Sequence, residues 1–351
     1  MTKKLIIILV VLVLVAAFLS QNKKTVSNDT VEVNKIGAIM PLSGPAGSLG
    51  EGLKRALDMA GATHVELVYA DDECNTAKAV SAYNNLKTQN IKVYFVACSG
   101  SVMALAPLAK TDNNLIITGY AGSSEIRATG DEVIRFDPDA VSIVSALVKE
   151  LSDPAWSTKK FAILHEKQDY AQSAVDALQK KFGDQILMTE SYQAADISMK
   201  TQITKLKGSG AEVIIFVPVS DKASDIILKE MKDLGVSLPI VGEVNLCGFT
   251  QKPSNFGLHG FCLNQKIDTE GARTFEADYL KKYAIASQYP VNDGVSYDSV
   301  KIMDKLFADG IRTISGLKEA LLKGVQGGIM KYEFEPNGEV LDKGYFTKET
   351  Y

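Results

Sequence analysis

Ala97-Cys98-Ser99-Gly100-Ser101 stands between two apolar runs. Upstream is Ile91-Lys92-Val93-Tyr94-Phe95-Val96, rich in β-branched and aromatic residues, which reads as a buried strand. Downstream, Val102-Met103-Ala104-Leu105-Ala106-Pro107-Leu108-Ala109 reads as the start of a helix. A strand, a turn carrying a hydroxyl and a glycine, and then a helix make a cradle for a small anion. The helix offers unpaired N–H groups and the positive end of its dipole, and Ser99 adds a hydroxyl.

The same alternation extends in both directions. Before it come a strand at 35–41 ending in Pro41, a turn-rich loop at 42–48, a helix at 50–60, a strand at 65–69 and a helix at 76–87. After it come strands at 115–118 and 133–136. The plan then restarts, with strands at 160–165, 186–192, 213–217 and 239–242 separated by helices at 170–182, 198–207 and 223–234. A strand at 260–264 follows, then helices at 270–283, 295–309 and 314–322. Residues 330–335 alternate in period two. Pro336-Asn337-Gly338 signals a hairpin turn, with 344–346 as its returning strand. Strands alternating with helices at this spacing predict parallel βαβ units, so the fold class is α/β, with two doubly wound halves of similar plan. Asp137-Pro138-Asp139 lies between the halves as a hinge. Ligands of open α/β sheets sit beyond the carboxyl ends of the strands, and two such halves facing each other make a cleft.

The chain has 351 residues, too many for one ordinary domain and natural for two. Apolar residues make up 46% and charged residues 23%, enough for a substantial core. The net charge of −4 argues against a nucleic-acid partner, which favours a basic surface. Lys3-Lys4 precedes fifteen uncharged apolar residues, 5–19. As a helix that run is about 22 Å long, short of a hydrocarbon core of about 30 Å. It reads as a secretory signal over 1–20 or as a retained membrane anchor, and either places the body outside the cytoplasm. The polar stretch 21–34 reads as a tether. Cys74, Cys98, Cys247 and Cys262 fit an exported protein with disulfides. Pairing between sequence neighbours is the simplest of the three connectivities.

Four segments together resemble the type I periplasmic binding proteins, in particular the leucine/isoleucine/valine-binding group. They are Lys35-Ile36-Gly37-Ala38-Ile39-Met40-Pro41-Leu42-Ser43-Gly44-Pro45, Asp71-Asp72-Glu73-Cys74-Asn75, Cys98-Ser99-Gly100-Ser101 and His165-Glu166-Lys167-Gln168-Asp169-Tyr170. The resemblance covers essentially all of the chain after residue 34. It implies two Rossmann-like lobes with parallel-type sheets joined by three crossovers, here near 137–140, 265–268 and 327–330. The first lobe would then comprise 35–138 plus 268–328, and the second 139–267 plus 329–351. It implies a Cys74–Cys98 disulfide, an amino-acid-like ligand captured by hinge closure, and an ABC transporter permease as partner. By the same analogy Ser99 and the turn Tyr120-Ala121-Gly122-Ser123 would hold the ligand carboxylate. Tyr170 would form an aromatic wall, and Glu243 would meet the ammonium. The chain departs from the group at Gly122 (threonine expected), at Leu49 (often an aromatic), at Ser220 (often a tyrosine), and at Glu243, one position early.

Other chemistries find little support in the residues. The acids Asp71, Asp72 and Glu73 are adjacent, and neighbours in sequence rarely aim at one cation. His64, His165 and His259 lack metal-ligand spacing, and Gly208-Ser209-Gly210 is no phosphate loop. No metal or cofactor is expected. The absence of a nucleophile elbow, a zinc motif and a convergent acid–base pair argues against an enzyme. A ligand-sensing ectodomain of the same fold is the alternative to a transport receptor.

Overall fold

The computed structural model describes residues 34–249, 251–341 and 344–351. The signal or anchor expected at 1–20, and all of the expected tether but its last residue, lie outside them. Strands β1 (Lys35–Met40), β2 (Glu66–Asp71), β3 (Val93–Val96), β4 (Leu115–Thr118) and β5 (Val133–Arg135) form one sheet in the order β2-β1-β3-β4-β5. Every pairing in it is parallel. The central strands are apolar throughout because both sheet faces are covered. Helices α1 (Gly47–Met59), α2 (Thr76–Lys87) and α3 (Ser99–Asp112) supply the crossovers. Tyr83, Leu86, Val102 and Leu105 of α2 and α3 pack on one face, and Leu53, Ala56 and Leu57 of α1 on the other.

The chain then passes through α4 (Ala140–Leu151) into a second sheet. Its strands are β6 (Phe161–Glu166), β7 (Ile186–Tyr192), β8 (Val213–Val217), β9 (Ile240–Gly242) and β10 (Gly260–Lys266). Helices α5 (Asp169–Phe182), α6 (Lys200–Gly208), α7 (Asp221–Asp233) and α8 (Val244–Gly248) lie between them. Helices α4 and α5 cover one face through Val144, Leu147, Ala174 and Leu178. Helices α6 and α7 cover the other through Ile203, Leu206, Ile227 and Met231. The chain returns to the first core with α9 (Glu270–Tyr283), α10 (Pro290–Ala308) and α11 (Ile314–Leu322). A small antiparallel ribbon, β11 (Val325–Gln326) and β12 (Lys331–Tyr332), follows. The last strand, β13 (Tyr345–Thr350), adds antiparallel to β10 and completes the order β13-β10-β9-β8-β6-β7.

Three expectations are corrected. Residues 329–340 belong with the first core, not the second. Ile329, Met330, Tyr332, Phe334 and Val340 pack against the first sheet's helices. Asp298 of α10 accepts from the N–H groups of Gly328 (2.7 Å) and Ile329 (2.8 Å) and from the Tyr332 hydroxyl (2.9 Å). The chain therefore stays with the first core through Leu341, whose N–H donates to the Glu333 carbonyl. The turn at 336–338 does form, but Phe334 returns against Val340, and 345–350 leave for the other sheet. In addition, α10 starts at Pro290, five residues before the predicted 295, with its proline in the first turn. Both disulfides join sequence neighbours, Cys74 to Cys98 and Cys247 to Cys262.

The 329–340 segment is fastened at the edge of the first sheet by a buried ion pair. Arg135 of β5 is fully buried and Glu339 is 3% exposed. The guanidinium donates to Glu339 Oε2 from Nε at 3.0 Å and from Nη2. Its Nη1 reaches the carbonyls of Ala121 (3.0 Å) and Ser123 (2.7 Å). The backbone joins in, with Arg135 N–H donating to Gly338 O at 2.8 Å. Removing one partner strands the other charge in the interior. Glu339→Ala is therefore expected to cost about 3–5 kcal/mol, read as a lower urea midpoint, whereas replacing an exposed pair such as Lys305–Asp309 costs under about 1 kcal/mol.

Candidate ligand-binding site

A cavity of about 60 Å³ opens where the carboxyl ends of the two sheets meet. From the first lobe it is lined by Ala97, Cys98 and Ser99 after β3, Tyr120 and Gly122 after β4, and Asp137 after β5, with Leu49 and Asn292 from α1 and α10. The second lobe contributes Gln168, Asp169 and Tyr170 after β6, Val219 after β8, and Val244 and Asn245 after β9.

Ser99 opens α3, and Cys98, its N-cap, is tied to Cys74. Ser101 in the same turn donates to the buried Asp72 carboxylate at 2.6 Å, so the helix start is fixed by a covalent and a polar anchor. Ser99 Oγ accepts from the Ser123 N–H at 3.0 Å. Its own hydrogen remains for an acceptor in the cavity, beside the unpaired N–H groups of the first turn.

On the opposite wall the Tyr170 hydroxyl donates to Glu243 Oε2 at 2.9 Å, and the Asn245 N–H donates to the same oxygen at 2.9 Å. Glu243 is fully buried and lies next to the wall rather than in it. Its Oε1 has no hydrogen-bond partner among the described residues. Burial raises its carboxyl from 4.5 to about 7, against the pull of the two hydrogen bonds. Asp137, in the first crossover, is 2% exposed. Burial lifts it from 3.8 to about 8, opposed by Arg135, Asn292 and Gln265. Asn292 Nδ2 donates to its Oδ2 at 2.6 Å. The Tyr120 ring meets Tyr289 edge-on at 5.9 Å.

Ser99, Tyr120, Gly122 and Tyr170 thus line the cavity, and Glu243 backs it. Two expected residues face elsewhere. Ala121 is fully buried in the apolar core with Ile116 and Val133. The Ser123 hydroxyl meets Ser173 of α5 at 3.0 Å and accepts from the Glu125 N–H at 3.3 Å. Ser220, likewise, donates to the buried Glu166 at 2.7 Å. Asn292, Asn245 and Asp169 were not singled out from the sequence, and Asp137 was read only as hinge. An acid beside a proline was the one signal at Asp137, and it does not report burial.

The lobes touch directly. Besides Ser123–Ser173, the Ser124 N–H donates to Ser173 Oγ at 3.3 Å. Ser48 Oγ and Gln288 Nε2 of the first lobe both donate to Asp221 of the second, at 2.9 Å. At Gly122 there is no space for a side chain, because a Cβ would lie 2.6 Å from Tyr170 Cδ2.

A family model described as periplasmic binding protein matches residues 34–308. Among curated proteins, Leu/Ile/Val-binding protein homolog 3 of Brucella melitensis is 25% identical over 226 residues, 59% of this chain and 60% of that protein. The leucine-, isoleucine-, valine-, threonine- and alanine-binding protein of Pseudomonas aeruginosa is 24% identical over 61% of this chain and 60% of its own. The chain thus spans about three fifths of the length of these relatives. The isoleucine complex of a branched-chain amino acid transporter substrate binding protein from Streptococcus pneumoniae superposes with a TM-score of 0.75 at 20% identity, over 91% of this chain and 99% of that one. A solute binding protein of R. palustris in complex with benzoate superposes with a TM-score of 0.75 at 17% identity, over 90% and 92%.

Two consequences can be measured. Between pH 4.5 and about 7 the folded chain keeps a proton on Glu243 that the unfolded chain has lost. That carboxyl therefore lowers stability as pH rises through this window. Glu243→Gln keeps both hydrogen bonds without the charge, and is expected to stabilise the ligand-free protein by up to about 3 kcal/mol at pH 8 and by nothing at pH 4, as thermal melts at the two values would read. Gly122→Ala pushes against the Tyr170 ring and is expected to hold the lobes apart, seen as a larger radius of gyration by small-angle scattering.

Proposed function

Since the chain belongs to the periplasmic binding protein family, we propose that it is the extracytoplasmic receptor of an ABC importer and that it captures a free amino acid between its lobes. One observation carries this reading: the two walls of the cavity have opposite character. The α3 start, with Ser99 and free N–H groups, suits a carboxylate. The Tyr170–Glu243 pair, with a buried carboxyl oxygen to spare, suits an ammonium. An α-amino acid carries both groups on one carbon, so it bridges the walls. Its differential contacts with the closed form drive closure, and the closed pair of lobes is the surface a permease would read. The benzoate found in one structural neighbour satisfies only the first wall. A ligand of that kind would leave Glu243 without its partner.

A thermal-shift screen of the protein against the twenty amino acids and benzoate tests the reading. A ligand at 100 times its dissociation constant raises stability by about 2.7 kcal/mol, which a melt resolves easily. Ser99→Ala is expected to weaken that ligand about tenfold, the worth of one hydrogen bond to a charged group. Stabilisation by benzoate and by no amino acid would overturn the reading.

A further inference from the structure

The cavity is more acidic than a simple amino acid requires. Asp137 and Asp169 both line it, and Glu243 backs its far wall. Among the described residues that line it, none is Lys, Arg or His. The nearest buried cation, Arg135, is already committed to Glu339 and to the carbonyls of Ala121 and Ser123. Asn292, at 2.6 Å, and Gln265 both hydrogen-bond the Asp137 carboxyl and fix its orientation, but amides bring no charge. A monoamino acid satisfies Glu243 and leaves Asp137 facing only the charge of Arg135, which Glu339 already neutralises, an arrangement that disfavours the ionised form.

We propose that the ligand of this cleft carries two protonated amines, and that Asp137 holds the second. The chemical class is an amino acid with an amine on its side chain. The methylenes of such a side chain find apolar walls in Leu49, Ile143, Val219 and Val244. Asp169, exposed at the same cavity, adds long-range attraction for a cation. Asp137 also lies in the first crossover, so a cation bound there is bound at the hinge itself. This inference rests on the amino-acid reading above and specifies its ligand.

Calorimetric titration of the protein with lysine and with norleucine isolates the second amine, because the two differ by that group alone. Lysine is expected to bind at least about tenfold more tightly. Asp137→Asn is expected to bring the ratio of the two dissociation constants close to one. Cadaverine, which lacks the carboxylate, is expected to bind more weakly than lysine. Norleucine binding as tightly as lysine overturns the inference while the amino-acid reading stands, and this comparison needs only the wild-type protein. A lysine preference that survives Asp137→Asn removes Asp137 from the role. Binding of cadaverine as tight as that of lysine, unaffected by Ser99→Ala, overturns the amino-acid reading and leaves an amine receptor. Binding by none of the three probes overturns the two-amine inference and leaves the amino-acid reading to the thermal-shift screen.

Discussion

A single guanidinium with no access to water organises the first lobe. Arg135 has five N–H donors in a fixed fork, and in the interior they need acceptors. Glu339 supplies the counter-charge from 204 residues away, and the turn after β4 supplies two carbonyls. One side chain therefore fastens the late segment to the edge of β5, where a row of strand N–H and C=O groups would otherwise be open. It also sets the backbone of 121–123, whose middle residue, Gly122, forms part of the cavity wall. Next along the chain, Asp137 and Asp139 begin the crossover. Asp139 accepts from Arg127 at 2.7 Å and caps α4 through the Ser142 N–H at 2.9 Å. The chain thus leaves the first lobe from a rigid polar platform.

The anion cradle is held just as firmly by different means. The Cys74–Cys98 bridge, the Asp72–Ser101 hydrogen bond and the Ser123 N–H all converge on the start of α3. Cys74 and Glu73 take left-handed backbone conformations to make the turn that brings the bridge into place. Under the proposed function, rigidity there means that a ligand carboxylate would meet donors already aimed, with little ordering left to do on binding.

The strands of both sheets were legible because a parallel sheet covered on both faces demands runs of apolar residues, as in Val93-Tyr94-Phe95-Val96. The cradle at Ser99 was legible for a related reason: strand, turn and helix are contiguous in sequence. What escaped was long-range. The period-two pattern of 330–335 marks extended chain, yet nothing local says which sheet edge it joins, and Arg135 and Asp298 decide that. The start of α10 was hidden because Asn292, Asp293 and Gly294 interrupt its apolar face, although Asp293 is buried. Ser123 was expected to face the ligand, but Ser173, on a helix of the other lobe, claims its hydroxyl. The Tyr170–Glu243 contact joins two residues that the resemblance named separately, and only folding shows that they share a proton donor and acceptor.

The contacts at the mouth carry a different kind of consequence. Asp221 receives Ser48 and Gln288 from the facing lobe, and none of the three lines the cavity. If the lobes open and close on a ligand as proposed, such bonds stabilise the shut arrangement whatever is inside it. The dissociation constant observed for any ligand is the intrinsic one divided by the fraction of molecules able to bind. Each bond of about 1 kcal/mol changes the equilibrium behind that fraction roughly fivefold. Tightness can therefore drift at the rim, by substitutions such as those at Ser48, while the choice among solutes stays with the walls. Two properties that a titration reports as one number are held by separate sets of residues.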